Sequence, residues 1–424
     1  MHAFVIAGTN SGSGKTSIGI SIASALMKRG LKVQPFKVGP DFIDPTHYSF
    51  CEWGVNLDAF MMGENGVRRS FCRWVKGKDV ALIEGVMGLF DGYSLTTFSS
   101  TAHIARILNI PVILTMNVRA MSVSALAMFE GFRNYDRRLN VAGVIFNSAT
   151  KFHEKLKRIF EERGYKVFGV VPKTDLLKIE SRHLGLHLGM EVERDLDRIA
   201  EFAEEHIDID GILEMSEMDI DCENFEETER DGFKIGVPFD EAFSFYYRDN
   251  LEALRKFGKI EFFSPLKGER IECDAYYIGG GYPELYEFPE FLRFIRKEAL
   301  DEKPIYAECG GMMMLSRTLE IDGKKRKMAG VLDMDIEFTR KLQALGYIRG
   351  EVIRDNPYFT GSFRGHEFHY SIAHPDIDVR FAFRTDGKGI TDGLDGVLAH
   401  RTLAGYSHIH FYSAYIKEFL RGNA

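Results

Sequence analysis

A cysteine followed by two glycines is the first residue set in this sequence that could do chemistry. Cys309 follows an apolar run and precedes Gly310 and Gly311. A strand that turns sharply into a helix at such a position exposes a thiolate for attack and frees backbone N–H groups that can stabilise an oxyanion. We predict this role for the N–H groups of Gly310, and of Gly280 and Gly281 in a second glycine-rich loop. The alternative is a buried structural cysteine.

Two histidines near the C-terminus could activate that cysteine. His408 and His410 occur in Tyr-Ser-His-Ile-His-Phe, residues 406–411. Side chains repeat every two residues along a strand, so both imidazoles would face the same side. We predict that one of them pairs with Cys309 and that the other packs nearby. Zinc binding by Cys309 and both histidines is an alternative, but it lacks a clear fourth ligand.

A second chemical site lies near the N-terminus, where residues 8–16 read Gly-Thr-Asn-Ser-Gly-Ser-Gly-Lys-Thr. The segment follows an apolar strand and opens a helix, so its N–H groups and the helix N-terminus can bind phosphate oxygens. Lys15 would neutralise those oxygens, and the Thr16 hydroxyl would bind Mg²⁺. Thr9 stands where the strict spacing has glycine, so the loop is a one-residue variant, and a glycine-rich turn with a chance Gly-Lys-Thr is the alternative. The predicted phosphate-binding residues are Gly8, Thr9, Asn10, Ser11, Gly12, Ser13, Gly14, Lys15, Thr16 and Ser17.

Three carboxylates would complete the phosphate site. Asp41 and Asp44 lie in a proline-bounded loop after the second apolar run, and Glu84 ends the run 80–84 before a glycine-rich segment. Ligands of doubly wound sheets bind beyond the carboxyl ends of the strands, where these residues fall. We predict that the three acids hold Mg²⁺ or polarise the phosphoryl acceptor, with Thr16, Asp41 and Glu84 as the metal ligands. Aspartate is also an ordinary loop former, which is the alternative for Asp44.

The elements that must position these residues follow an α/β pattern. Candidate strands cover 2–7, 32–38, 79–84, 111–116, 141–146 and 166–171, with helical patterns such as 15–29 and 151–163 between them, which predicts a parallel sheet covered by helices on both faces. A second α/β pattern begins at residue 233, with strands at 275–279 and 303–307 and a late stretch near 406–411. Between the two patterns the composition turns acidic. We therefore predict three regions: a phosphate-loop domain over 1–190, an acidic helical segment and linker over 191–232, and a second domain over 233–424.

Composition limits the classes of protein that fit. The chain has 424 residues, 45% hydrophobic and 27% charged, with a net charge of −8, which is typical of a soluble two-domain protein and argues against nucleic-acid binding. No apolar stretch approaches the ~20 residues that span a bilayer, and the N-terminus lacks the layout of a signal peptide. Five scattered cysteines without a C-x-x-C pair predict neither a disulfide framework nor a zinc site, and they suit a reducing cytoplasm.

Two further polar stretches, residues 339–347 and 364–371, combine charged, amide and imidazole groups. Such groups are costly to bury without partners. They could line a polar pocket or stabilise loops of the second domain, and the residues alone do not separate these readings.

Taken together and in order, these motifs resemble the cobyrinate a,c-diamide synthases of corrinoid biosynthesis, over nearly the whole chain. The resemblance rests on the phosphate loop, Val-Gly-Pro-Asp-Phe-Ile-Asp-Pro (38–45), Asn-Leu-Asp (56–58), Glu-Gly-Val-Met-Gly-Leu-Phe-Asp (84–91), Gly-Gly-Gly-Tyr-Pro-Glu (279–284), Glu-Cys-Gly-Gly-Met (308–312), Leu-Gln-Ala-Leu-Gly-Tyr (342–347) and Arg-Gly-His-Glu-Phe-His-Tyr-Ser (364–371).

The resemblance implies a dethiobiotin-synthetase-like ATP domain joined to a flavodoxin-like class I glutamine amidotransferase domain. In such enzymes L-glutamine is hydrolysed at the cysteine, and ammonia passes to a carboxylate activated as an acyl phosphate with ATP and Mg²⁺. By this resemblance Cys309 is the nucleophile and His408 its activating base. Standard amidotransferases have a glutamate two residues after that histidine, but here His410 occupies the position, so we expect a dyad. Residues 117–120 also depart from the family's aspartate-containing turn, which leaves contacts to the nucleotide base open.

The acceptor of the nitrogen is less closely defined. A related branch amidates a nickel-bearing sirohydrochlorin, and the motifs do not separate that macrocycle from the corrinoid. Cobyrate synthase fits less well, because residues 364–371 resemble the diamide branch. A phosphate-loop switch of the partition type is the alternative from another class, and it would leave Cys309 and His408 without a role. The oligomeric state is open, although dimers are common among soluble enzymes.

Overall fold

Apolar, β-branched runs in the first half of the chain form one parallel sheet. Its strands are β1 (His2–Gly8), β2 (Val33–Val38), β3 (Val55–Leu57), β4 (Val80–Glu84), β5 (Val112–Asn117), β6 (Val141–Ala149) and β7 (Lys166–Pro172). They pair in the order β3-β2-β4-β1-β5-β6-β7, every neighbouring pair parallel. The six predicted strands are present, and the short β3 was not predicted. The order reverses at β1, so the carboxyl ends of β1, β2 and β4 meet where a doubly wound sheet binds its ligand.

Helices connect these strands or follow the last of them. They are α1 (Lys15–Lys28), α2 (Ala59–Val75), α3 (Thr101–Leu108), α4 (Ser124–Tyr135), α5 (His153–Glu162), α6 (Leu196–His206) and α7 (Ile209–Ser216), with 3₁₀ turns at Asp44–Tyr48, Tyr93–Leu95 and Gly189–Glu191. The Asp58 side chain caps α2 by accepting the N–H groups of Phe60 and Met61. Two short strands, β8 (Ser181–Arg182) and β9 (Gly185–Leu186), pair antiparallel. The predicted α/β architecture is confirmed for this half.

The computed structural model describes residues 1–178, 181–182, 185–186, 188–220, 222 and 232–417. Two units divide the chain, Met1–Phe225 and Glu226–Ala424. The acidic segment predicted over 191–232 contains α6 and α7, which belong to the first unit. The remainder of the predicted linker, residues 221 and 223–231, lies outside the described residues. Among the helices that the structure describes, none is long and apolar enough to cross a membrane.

One covalent feature contradicts the sequence prediction. Cys72 of α2 and Cys222 form a disulfide, so the prediction that the cysteines are unpaired was wrong for these two. They are 150 residues apart. Spacing along the sequence carries no information on such a distant approach, which depends on the fold of the whole first unit. Cys51, Cys273 and Cys309 are free.

The second unit contains a mixed sheet and several further strands. Its strands are β10 (Lys234–Pro238), β11 (Lys259–Phe263), β12 (Ala275–Ile278), β13 (Ile305–Glu308), β14 (Thr318–Ile321), β15 (Lys324–Lys327), β16 (Met334–Phe338), β17 (Ala344–Val352), β18 (Phe359–Thr360), β19 (Ser362–His369), β20 (Ser371–Pro375), β21 (Arg380–Thr385), β22 (Leu394–Ala399), β23 (Thr402–Gly405), β24 (His408–Ile409) and β25 (Tyr415–Ile416). Its helices are α8 (Arg248–Leu254), α9 (Pro289–Leu300) and α10 (Gly310–Leu315), with 3₁₀ turns at Pro265–Lys267 and Pro283–Leu285.

Ten of these strands form one sheet in the order β11-β10-β12-β13-β23-β22-β21-β17-β19-β24. The pairs from β11 to β23 are parallel, and those from β23 to β24 are antiparallel. A separate sheet has the order β15-β14-β16-β20, and β18 pairs with β25. The parallel half with its connecting helices agrees with the predicted class I amidotransferase fold, and its C-terminal edge carries Cys309.

Candidate functional site

Cys309 occupies a sharp turn between β13 and α10. Its backbone has φ 45° and ψ −102°, a strained conformation for a residue with a Cβ. Gly311 follows because a Cβ there would lie 2.5 Å from the Ile278 carbonyl oxygen. The predicted strand-to-helix turn is therefore present.

The thiol at this turn is buried, where the sequence predicts an exposed thiolate. Only 7% of Cys309 is accessible, and the residue belongs to an apolar cluster that includes Met312 and Met313. Its Sγ donates a long hydrogen bond to the Phe368 carbonyl oxygen, at 3.7 Å. Burial, followed by the charge of Glu284, raises the pKa of the thiol. The side chain of Cys309 is therefore held as a thiol.

A carboxylate at the end of β13 contacts the predicted base. His408 Nδ1 lies 3.3 Å from Glu308 Oε2, and both side chains are 1% accessible. The sequence predicts a dyad because the residue two positions after the histidine is not a glutamate. The structure places a carboxylate against His408, from the residue just before Cys309.

The two C-terminal histidines are separated in role by their contacts. His410 Nδ1 accepts the N–H of Tyr412 at 3.3 Å, and its ring lies 5.2 Å from that of Tyr247. His410 Nε2 is buried without a hydrogen-bond partner among the residues described. Burial, with the nearby Arg364 charge, lowers the pKa of His410 to about 3, so the ring is neutral. His410 packs beside the site, and His408 is the histidine that holds a carboxylate.

The glycine loop after β12 lies between the cysteine and the histidine. A Cβ on Gly280 would lie 2.7 Å from His408 Cε1, and a Cβ on Gly310 would lie 3.0 Å from the Gly281 nitrogen. Gly310 begins α10, and the first N–H groups of a helix have no acceptor within it. The three glycines predicted to stabilise an oxyanion are therefore adjacent to Cys309 or to His408.

The phosphate loop connects β1 to α1 as the sequence predicts. Gly14 caps the helix with φ 99°, a conformation that favours glycine, and Asn147 Nδ2 fixes the loop by donating to the Ser13 carbonyl oxygen at 2.9 Å. Lys15 is 8% accessible, and its Nζ donates to the carbonyl oxygens of Met87 at 2.7 Å and Asn10 at 3.4 Å.

Charge near the loop is arranged for an anion. Burial and the neighbouring Lys37 lower the pKa of Lys15 to about 8, so an added phosphate would restore favourable charge pairing. The Ser13 hydroxyl is buried with no partner among the residues described. Both features fit a nucleotide phosphate group, which offers oxygens to the ammonium and to the hydroxyl.

Lys37 joins the carboxylates, and the sequence analysis missed it. Its Nζ donates to Glu84 Oε1 at 2.8 Å, to Asp44 Oδ2, and to the Gly85 carbonyl oxygen at 3.2 Å. Glu84 also accepts the hydroxyl of Tyr48 at 2.6 Å. The signal in the sequence was a lysine near the end of a short strand that is buried along its whole length, because a buried ammonium requires a partner.

The two aspartates of the predicted loop differ in protonation. Burial and the Asp44 charge raise the pKa of Asp41 to about 7. Burial alone would raise the pKa of Asp44 as well, but the Lys37 ammonium lowers it below its ordinary value. Asp44 is therefore an ionised partner of Lys37, and Asp41 can change protonation near neutral pH.

The predicted Mg²⁺ ligands fit in part. In the described ranges, no group of three or more His, Cys, Asp or Glu side chains could hold a metal ion. Mg²⁺ bound with a nucleotide needs fewer, because it takes one or two protein ligands besides phosphate oxygens and water. Thr16 Oγ1 and Glu84 Oε1, 2.6 Å apart, fit that requirement. Asp41 Oδ1 accepts the N–H groups of Ile43 at 2.7 Å and Asp44 at 3.1 Å, and Glu84 Oε1 accepts the ammonium of Lys37 at 2.8 Å, so each carboxylate already has donors that a bound metal ion would displace.

Comparison with known proteins agrees with this arrangement. Residues 4–186 match the family described as CobQ/CobB/MinD/ParA nucleotide binding domain, and residues 234–415 match the CobB/CobQ-like glutamine amidotransferase domain. The cobyrinate a,c-diamide synthase of Methanococcus maripaludis is 40% identical over 97% of this chain and 97% of its own. Those of Saccharolobus solfataricus and Clostridium acetobutylicum are 39% and 35% identical, each over 97% of this chain and 98% of its own. The chain belongs to the cobyrinate a,c-diamide synthase family of glutamine-dependent ligases.

Proposed function

We propose that this protein converts the a- and c-acetate carboxylates of cobyrinate into amides, using ATP and ammonia released from glutamine. The observation that carries the proposal is the presence of two unlike sites in one chain. One is a thiol on a strained turn that directly follows the carboxylate of a buried imidazole–carboxylate pair, and the other is a phosphate loop with two buried lysines.

The thiol site supports glutamine hydrolysis. His408 takes the Sγ proton as sulfur attacks the side-chain amide carbon, and the N–H groups of Gly280, Gly281 and Gly310 receive the oxyanion. The imidazolium then gives its proton to the departing nitrogen, so ammonia and a thioester form. Water hydrolyses the thioester to glutamate and returns the thiol.

The phosphate site supports activation of a carboxylate. Hydroxide is a poor leaving group, so ammonia does not displace it from an acid. The substrate carboxylate attacks the terminal phosphorus of ATP, ADP departs, and ammonia then displaces phosphate from the acyl phosphate. Lys15 and Lys37 offset the charge of the transferring group, and Mg²⁺ held through Thr16 and Glu84 would supply further positive charge when bound. Asp41, in the segment after β2, has a pKa of about 7 and can exchange a proton near neutral pH.

Support for the acceptor comes from the relatives named cobyrinate a,c-diamide synthase, whose length this chain matches. The proposal therefore takes cobyrinate as the acceptor, and nickel-sirohydrochlorin as the competing substrate in the test. Purified protein is given ATP, glutamine and one macrocycle, and the product mass is followed with time. We expect two successive amidations of cobyrinate and slower turnover of nickel-sirohydrochlorin. The reverse preference would move the assignment to the nickel macrocycle.

The division of labour has its own test in Cys309→Ser. We expect glutamine-dependent synthesis to fall at least about 1000-fold while synthesis fed with ammonium continues, because only the thiol chemistry is removed. Cys273→Ser, at the other buried free cysteine of this unit, is the matched control and retains both activities. Loss of both activities in Cys309→Ser alone would contradict separate sites. Full glutamine-dependent activity in Cys309→Ser would exclude the thiol as nucleophile.

A further inference from the structure

We propose that Glu308 is the positioning residue of the glutaminase site and completes a Cys309–His408–Glu308 triad from the residue preceding the nucleophile. This inference rests on the proposed glutamine hydrolysis. The sequence pattern places the third residue of the triad two positions after His408, at His410. The structure points instead to Glu308, at the end of β13.

The carboxylate of Glu308 is buried and fully engaged. Oε1 accepts the Tyr306 hydroxyl at 2.8 Å and the Ile409 N–H at 3.3 Å. Oε2 accepts the Tyr277 hydroxyl at 3.1 Å and faces His408 Nδ1 at 3.3 Å. A carboxylate that accepts this many donors cannot rotate without breaking several hydrogen bonds. The position of the charge beside the imidazole is therefore fixed.

This contact sets the tautomer of His408. An ionised carboxylate only accepts hydrogen bonds, so the Nδ1 atom must carry the proton. The lone pair of the neutral ring is then on Nε2, where a base needs it. A Cβ on Gly280 would lie 3.4 Å from Nε2, so this nitrogen faces the glycine loop that also contacts Gly310, next to Cys309.

Two other imidazoles near His408, those of His366 and His410, are neutral. The His366 ring stacks on His408 at 5.3 Å between centroids, and burial with the His408 charge lowers the pKa of His366 well below its ordinary value. His410 is neutral for the reasons given above. Glu308 is a charged group that contacts the imidazole directly. It offsets the imidazolium formed when His408 takes the Sγ proton, and it gains no proton itself.

The experiment compares Glu308→Gln with Tyr306→Phe in the full-length protein. The glutamine variant keeps the side-chain shape and removes the charge, and the phenylalanine variant removes one hydroxyl donor and keeps the charge. We expect glutaminase kcat of Glu308→Gln to fall about 10²–10⁴-fold with KM for glutamine within about threefold, as when a triad carboxylate is made neutral. Synthesis fed with ammonium continues unchanged. Tyr306→Phe keeps glutaminase kcat within about fivefold.

The pH profile separates positioning from a structural role. A carboxylate favours the protonated form of a neighbouring imidazole, so the acid limb of glutaminase kcat/KM should move to lower pH in Glu308→Gln and stay in place in Tyr306→Phe. If Glu308→Gln does not fold, as judged by loss of ammonium-fed synthesis, Glu308→Asp decides. This variant keeps the charge but withdraws it, so we expect at least a tenfold loss of kcat with the acid limb unmoved.

Glutaminase kcat within about threefold of wild type in Glu308→Gln, or in a folded Glu308→Asp when the glutamine variant does not fold, would overturn the inference. An equal loss in Tyr306→Phe would do the same, because the network and not the charge would then matter. These outcomes differ from failure of the proposed function, which would appear as full glutamine-dependent activity in Cys309→Ser.

Discussion

Removing the ammonium of Lys37 tests how the phosphate site is held together. In Lys37→Met a side chain of similar length replaces the cation and leaves Asp44 and Glu84 buried without their shared partner. Lys37 is 3% accessible, and Glu84 is fully buried. Removing one partner of a buried ion pair usually costs 3–5 kcal/mol, since an uncompensated charge remains, and for a unit of this size that corresponds to a Tm lower by about 6–20 °C.

The chain contains a matched control for this substitution. Lys28 of α1 also contacts a carboxylate, Glu201, at 2.9 Å, but its side chain is 43% accessible. An exposed pair of this kind contributes little, because water and salt screen it. We expect no resolvable change of Tm in Lys28→Met. Thermal unfolding of both variants is followed by circular dichroism and calorimetry, and the transition of the first unit is identified in the wild type by its shift with ATP.

The pH dependence has a definite sign. In the wild type the pKa of Asp44 lies below its ordinary value because of Lys37, so the resulting stability is present above about pH 4 and is lost as the pH falls. Without Lys37, burial is the largest remaining influence on Asp44 and is opposed by the hydrogen bond with Asp41 and the charge of His47. We therefore expect the pKa of Asp44 to rise above its ordinary value, so that stability is lost as the pH increases above about 4. The decrease in Tm caused by Lys37→Met, relative to the wild type, should therefore grow between about pH 4 and pH 7. A decrease in Tm for Lys37→Met that is no larger than that for Lys28→Met, or one that shrinks over this pH range, would refute the reasoning.

Two further expectations concern the first unit. The Cys72–Cys222 disulfide spans 150 residues, and such cross-links typically stabilise the folded state by about 2–4 kcal/mol. Reductant or Cys72→Ser should therefore lower the Tm of the first unit. An unchanged wild-type Tm in reductant would contradict this expectation. Burial and Lys37 lower the pKa of Lys15 to about 8, so ATP binding at pH 8 should take up about half a proton. Calorimetry in buffers of different ionisation enthalpy measures this uptake. Proton release on binding would argue against contact between the phosphates and Lys15.

Local patterns were sufficient where the chemistry depends on neighbours in sequence. Continuous β-branched runs predict buried parallel strands, and six such runs in the first half became strands within a residue or two, apart from an extension of β6. The turn at Cys309 and the loop before Lys15 were also predictable. Both need glycine at fixed offsets from the reactive residue, and that requirement is visible in one short segment.

Long-range contacts were not predictable from spacing. Glu308 and His408 are 100 residues apart, and the contact between Lys37 and Glu84 spans 47. A sequence rule that searches near His408 for its carboxylate finds His410, because the rule assumes one route of the chain. The burial of the Cys309 thiol was also missed, because it depends on apolar neighbours such as Met313 and on the later strand that supplies Phe368.

The route of the ten-stranded sheet has a consequence for how activity arises during folding. β13 and β24 are separated by five other strands in the sheet order, yet Glu308 at the end of β13 contacts His408 in β24. The sheet must therefore curl until its last strand returns to its middle. The nucleophile and its neighbouring acid are in place once β13 turns into α10, whereas the imidazole arrives only after the antiparallel half has been added. A chain still emerging from the ribosome thus has Cys309 and Glu308 in place before His408, so under the proposed function glutamine hydrolysis would wait until β24 has docked.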